Sequence, residues 1–277
     1  MAYTILEWNI NQATDRYGKN DIPDFVKREL INKNADIIIL TEFCFCKNSE
    51  AFIQSVFSEL GYDFRTTENK KHGQNEVLIA WKKELFVIGD VEITETTKGN
   101  NKPNLLVVHL KKISNDMKIV IAGLRITMKP YEKRKEQMVF ALEQLKEYEN
   151  VIIGGDFNNL RRETTVKEWN LDVIKDLCHI YKFNPIHTPK GQSIYQEEGT
   201  SIAYEFAEDH FITKGNSIEM REYYYDRGFT KDNPDIYLFE GNFQVYNNNI
   251  QKVTWSIPFG SGIPDHAMII GEFVLEV

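Results

Sequence analysis

Val151-Ile152-Ile153-Gly154-Gly155-Asp156-Phe157-Asn158 begins as a short apolar run and ends abruptly in a carboxylate and an amide. Such a run reads as a strand buried on both faces, the kind found at the centre of an α/β sheet. Residues 131–148 before it place Met138, Ala141, Leu142 and Leu145 at i, i+3, i+4 and i+7, the spacing of one helix face. The N-terminal part has the same design. Residues 4–10 read as a strand, and Asp21 as the cap of a helix carrying Ile22, Phe25, Val26 and Leu30. Ala35-Asp36-Ile37-Ile38-Ile39-Leu40 is a second buried strand, stopping at Thr41-Glu42.

Outward from these two units, a helix is expected from Ser49, with Phe52, Ile53, Val56, Phe57 and Leu60 on one face and Gly61 after its end. Residues 76–81, 85–93, 105–110 and 118–126 are short β-type runs separated by polar turns, an antiparallel meander. A helix follows over 169–183, then a Gly- and Pro-containing loop over 184–200 whose length predicts a functional role. Strand-like material resumes at 201–206, 211–213, 236–243 and 267–277. No linker composition divides the chain, so residues 1–277 read as one α/β domain of two packed sheets with outer helices.

The 42% hydrophobic and 27% charged residues exclude a disordered or collagen-like chain. The net charge of −8 removes global attraction to phosphate polymers, so nucleic acid or an anionic membrane would need a local basic patch. No apolar run reaches the roughly 18–20 residues of a membrane span, and the first residues lack a signal-peptide pattern, so the expectation is a cytoplasmic protein without stable membrane insertion. Cys44, Cys46 and Cys178 lack zinc spacing and read as reduced, buried thiols.

Three apolar strands end in polar residues: Ile5-Leu6-Glu7-Trp8-Asn9, Ile37-Ile38-Ile39-Leu40-Thr41-Glu42, and the segment ending in Asp156 and Asn158. Ligands bind at the carboxyl ends of strands in α/β sheets, so Asn9, Glu42, Asp156 and Asn158 are expected on one rim. Asp265-His266 precedes the last apolar run, and an antiparallel final strand would bring that pair to the same rim. Oxygen ligands of this kind suit Mg²⁺ or Mn²⁺. A carboxylate-oriented imidazole and an Asp beside a hard cation are the parts for water attack on phosphorus, so metal-assisted phosphoester hydrolysis is the leading reading.

With Trp8-Asn9, Leu40-Thr41-Glu42, Gly155-Asp156-Phe157-Asn158 and Pro264-Asp265-His266 in this order, the chain resembles the endonuclease/exonuclease/phosphatase superfamily from end to end. The resemblance implies a four-layer α/β/β/α sandwich, two central mixed β-sheets flanked by helices. It also implies Mg²⁺- or Mn²⁺-dependent cleavage of phosphoester bonds, in a family that includes nucleases, deadenylases, inositol-polyphosphate phosphatases and sphingomyelinases. Carried over by motif, Glu42 is the principal metal ligand, with Asn9, Asn11 and Asp265 beside the metal. Asp156 activates the attacking water, Asn158 and Asn9 hold the phosphate, and His266 contacts it or moves a proton. Glu208-Asp209-His210-Phe211-Ile212 resembles the segment that carries the histidine's orienting carboxylate, which makes Asp209 the candidate orienter.

Arg125 stands where many members of that family place a second His or a Tyr, and Pro264 replaces a common Ser. A guanidinium donates to phosphate but does not exchange a proton near neutral pH, so Arg125 is expected to stabilise developing charge. Lys129, Lys133, Arg134, Lys135, Arg161 and Arg162 are candidates for a phosphate-tracking patch, and Tyr223-Tyr224-Tyr225, Phe229 and Trp255 for stacking. The leading expectation is a monomeric nuclease acting on DNA or RNA. The alternatives are a phosphatase or phospholipid diesterase on a phosphorylated small molecule or lipid headgroup, and a catalytically silent binding module of the same fold.

Overall fold

The computed structural model describes residues 1–12, 21–67, 76–89, 94–96, 102–127, 132–159, 169–191, 193, 207–237, 244–246, 250–252 and 262–276. In chain order the elements are β1 (Ala2–Asn9), α1 (Asp24–Lys33), β2 (Ile37–Phe43), α2 (Ser49–Ile53, continued by a π turn Gln54–Ser58), β3 (Tyr62–Thr66) and β4 (Glu76–Lys82). Next come β5 (Phe86–Ile88), β6 (Thr94–Thr96), β7 (Asn104–Lys112), β8 (Lys118–Arg125), α3 (Lys133–Leu145), β9 (Val151–Asp156) and α4 (Leu171–Ile180). The chain closes with β10 (Asp209–Lys214), β11 (Ile218–Asp226), α5 (Gly228–Asp232), α6 (Pro234–Tyr237), β12 (Gln244–Tyr246), β13 (Ile250–Lys252) and β14 (Met268–Leu275).

One sheet has the order β11-β14-β1-β2-β4-β3 and the other β10-β9-β8-β7-β5, with β6 also on β7; β12 and β13 pair alone. Each large sheet is mixed, because β1–β2 and β8–β9 are parallel and their other pairings antiparallel. Strand alternation divides the apolar residues among three cores. Leu6, Trp8, Ile38 and Leu40 face α1 and α2; Ile5, Ile39, Ile121, Ile152 and Phe211 fill the space between the sheets; Ala122, Leu124, Ile153 and Phe157 face α3 and α4. These are the four layers of an α/β/β/α sandwich. Close approach of the sheets needs glycine, since a Cβ on Gly123 would lie 2.4 Å from Val77 Cγ1 and one on Gly154 2.9 Å from Ile39 Cδ1.

Local departures from the sequence reading have identifiable causes. Asp21 does not cap α1, whose N-cap is Pro23 and makes no side-chain bond; Asn48 instead accepts from the Ile22 amide and holds the segment that Asp21 was expected to hold. Ile236, expected in a strand, lies in α6, because Pro234 starts a helical turn in which the Ile236 and Tyr237 amides donate to the Asn233 carbonyl. β11 escapes the sequence reading because it is an edge strand, exposed and charged, without alternation. Residues 201–206 and 238–243 lie outside the described residues. Among the described residues no helix is long and apolar enough to cross a membrane. All three cysteines are free and buried.

Candidate active site

The alternation that fills the inter-sheet core also builds the site. On β1, Ile5 faces the core and Glu7 and Asn9 follow at i+2 and i+4; on β9, Ile152 and Gly154 lead to Asp156 and Asn158. In the second sheet, Arg125 pairs with Asp156 across β8–β9, and Asp156 with Asp209 across β9–β10, so three charged residues form one row. β14 runs antiparallel to β1 and starts two residues after His266, which delivers the histidine to the same rim. Asn9, Glu42, Arg125, Asp156, Asn158, Asp209 and His266 therefore converge at one end of the inter-sheet space.

Asp156 is almost completely buried and fully engaged. Its Oδ1 accepts from the Asn158 backbone amide at 2.8 Å, and its Oδ2 from Asn158 Nδ2 at 2.8 Å and Asn9 Nδ2 at 3.1 Å. Arg125 Nε lies 3.7 Å from the same oxygen. Burial pushes the Asp156 carboxyl up to about 7, with His266 and Arg125 opposing and Asp209 adding to the rise. The other Asn158 amide hydrogen goes to the Ile126 carbonyl at 2.8 Å, so this amide positions Asp156.

His266 Nδ1 is 2.7 Å from Asp209 Oδ2. A carboxylate only accepts, so Nδ1 carries the hydrogen and Nε2 is turned toward Asn9 Nδ2 at 3.5 Å and Asp265 Oδ1 at 3.9 Å. Burial works against a charged imidazolium, but the Asp209 carboxylate outweighs it and holds His266 well above its ordinary value. The Tyr225 hydroxyl donates to the Asp209 carbonyl at 2.6 Å, and Trp8 Nε1 to the His266 carbonyl at 3.0 Å, fixing the backbone of both partners.

Glu42 sits at the end of β2 with φ +51°, where the register against β4 shifts between Leu40 and Phe43. The bulge turns its carboxylate out of the strand row and onto Arg125, whose Nε donates to Glu42 Oε1 at 2.7 Å and whose Nη2 pairs with the same oxygen. Glu42 Oε2 is buried and has no hydrogen-bond partner. Such an oxygen is a fit for a hard cation. No three His, Cys, Asp or Glu side chains form a metal cage among the described residues. A cation would thus be held by Glu42 with amide oxygens, water and substrate, the arrangement Mg²⁺ commonly takes.

The other candidates fall at different places. Asn11, with φ +55°, donates its amide to the Ile263 carbonyl at 2.8 Å and its backbone N–H to Asn9 Oδ1 at 2.9 Å, tying the N-terminal turn to the loop before His266. Arg134 is buried, donating to the Thr127 and Asn158 carbonyls, so it is not a free phosphate contact, whereas Lys133 pairs with Glu136 at the surface and Lys135 is exposed. Lys129, Arg161, Arg162 and Trp255 lie outside the described residues. Tyr223 packs on His187, Tyr224 is exposed, and Phe229 is buried against Trp8, so the expected stacking set is divided among three environments.

The sequence reading did not single out Glu7. It is fully buried, its Oε1 accepts the Thr41 hydroxyl at 2.8 Å, and burial together with Asp209 pushes its carboxyl well above the usual range. The available signal was its place, an acidic residue at a core-facing position between Ile5 and Asn9.

No protein-family model matches the sequence, and no curated protein is significantly similar to it. Solved structures are similar over the whole chain. ANGEL2, a 2′,3′-cyclic phosphatase, is 12% identical, with a TM-score of 0.66 over 100% of this chain and 96% of that one. An endonuclease/exonuclease/phosphatase family protein from Bacteroides thetaiotaomicron is 14% identical, with a TM-score of 0.62 over 100% and 99%. TDP2 from D. rerio, solved with a single-strand DNA product, is 13% identical, with a TM-score of 0.59 over 98% of both chains.

Proposed function

With the endonuclease/exonuclease/phosphatase fold as premise, we propose that the chain is a Mg²⁺- or Mn²⁺-dependent phosphodiester hydrolase acting on nucleic acid by water attack at phosphorus. The observation that carries this reading is Asp156, a buried carboxylate pushed up to about 7 beside the Asp209–His266 pair and the Arg125–Glu42 pair. A base near the working pH removes a proton from water most effectively. Asn158 and Asn9 aim that carboxylate, and His266, kept charged by Asp209, donates to a phosphoryl oxygen. Arg125 adds a fixed positive charge. A divalent ion held by Glu42 would polarise the phosphoryl oxygen and stabilise charge in the transition state. The buried, reduced thiols support a cytoplasmic setting.

The test is nicking of supercoiled plasmid with Mg²⁺ or Mn²⁺ by wild type and by an identically purified Asp156→Asn preparation. Wild type is expected to convert plasmid to open circle, and the variant to be slower by about 10²–10⁴. Equal rates would remove Asp156 from the mechanism. A second reading, a small phosphate ester as substrate, is favoured by Arg134 being turned inward and Lys133 being paired. Hydrolysis of a small phosphodiester without plasmid nicking would select it.

A further inference from the structure

The position of the Arg125 guanidinium bears on how many metal ions the site takes. Its Nε and Nη2 both engage Glu42 Oε1, and Nε is 3.7 Å from Asp156 Oδ2. One guanidinium thus bridges Glu42, the carboxylate with a buried oxygen to spare, and Asp156, whose oxygens accept from Asn158 and Asn9. It uses one Glu42 oxygen and leaves the other buried and open. Hydrolases with two metal ions hold them about 3.5–4 Å apart, bridged by the same ligands, to clamp the attacking and leaving oxygens. Here Glu42 Oε1 already carries a cation that stays charged at any working pH.

We propose that Arg125 is a built-in second cation, so that this chain takes one divalent ion, on Glu42, where a two-metal hydrolase takes two. The proposal rests on the hydrolase reading above. It has a counter-intuitive consequence, because a positive charge bound to the metal's own ligand weakens the metal. Removing it should tighten metal binding while slowing catalysis. A purely structural ion pair predicts the opposite, since its loss would disorder Glu42 and weaken binding.

The experiment is titration of the full chain with Mn²⁺, followed by the electron paramagnetic resonance of the free ion and by calorimetry, for wild type, Arg125→Met, Arg125→Lys and Glu42→Gln. Wild type should bind one Mn²⁺ per chain. Arg125→Met should bind it about tenfold tighter or more, and admit a second ion. Arg125→Lys should keep one ion, and Glu42→Gln should lose it. Two ions in wild type, unchanged or weaker binding in folded Arg125→Met, or binding that survives Glu42→Gln, would each overturn the proposal. Should circular dichroism show Arg125→Met to be unfolded, the wild-type and Arg125→Lys stoichiometries decide alone. Wild type that binds no Mn²⁺ and cleaves no phosphodiester would instead overturn the hydrolase reading.

Discussion

His210 and His266 are both buried, yet their surroundings drive them in opposite directions. His266 faces a carboxylate and stays charged. His210 Nε2 meets Asn159 Oδ1 at 3.0 Å and its Nδ1 meets Thr188 Oγ1 at 3.1 Å, a pair of neutral partners. Burial therefore pushes His210 down to about 4. Its folded value lies below the ordinary 6.5, so the unfolded chain binds the proton first on acidification. Stability from this residue is complete above about pH 6.5 and is lost as the pH falls toward 4. Between about pH 7 and pH 5 the loss is about 2 kcal/mol. His266, raised in the folded state, already contributes at pH 7 and reaches its full contribution below about pH 6.5, so the comparison must isolate His210. In His210→Gln the amide can still donate to Asn159, and the urea midpoint should drop less between these two pH values than in wild type. An equal drop in both would show that His210 is not the acid-labile group.

β9 has the most demanding geometry of any strand in the site. A Cβ on Gly155 would sit 1.8 Å from the Leu124 carbonyl oxygen, a backbone atom of the paired strand β8. Gly155→Ala must therefore open the β8–β9 pair next to the Arg125–Asp156 step. Overpacking of this kind costs about 1–3 kcal/mol, and the backbone clash places this case at the upper end. The expected result is a lower urea midpoint together with loss of phosphodiester cleavage; a midpoint like wild type would disprove the constraint. This strand also shows what was legible beforehand. The apolar run and its polar end announce a strand that carries the site, because period-two alternation is written in consecutive residues. The row Arg125, Asp156, Asp209 is not written there, because it depends on register between strands distant in sequence. The Glu42 bulge is equally hidden: Thr41-Glu42 reads as an ordinary strand end, and only the shifted pairing with β4 turns the carboxylate inward. β11 was missed for the converse reason, since an edge strand has no buried pattern to read.

For the whole molecule, charge and fold act on different parts of substrate recognition. The two sheets assemble a compact, nearly neutral constellation at one end of their interface, while the chain as a whole carries −8. A protein that grips nucleic acid by tracking 6–10 phosphates loses about 10³–10⁵ in affinity between about 50 and 200 mM salt, because bound counterions are released. At the start of α3 Arg134 is spent on backbone carbonyls, Lys133 is paired with Glu136 and Lys135 is exposed, which is short of a track of about 6–10 contacts. The small-ester reading places binding mainly on the scissile phosphate and its immediate neighbours, about one or two charges. With a slope of roughly 0.7–0.9 per phosphate contact, KM for a single-stranded oligonucleotide should rise by less than about tenfold over that salt range, and kcat should stay level. Shortening the oligonucleotide toward a dinucleotide should leave KM nearly unchanged for the same reason. A rise of about a thousandfold in KM, or a steep dependence on oligonucleotide length, would mean that a basic track does grip the backbone, and recognition would then belong to the surface rather than to the rim.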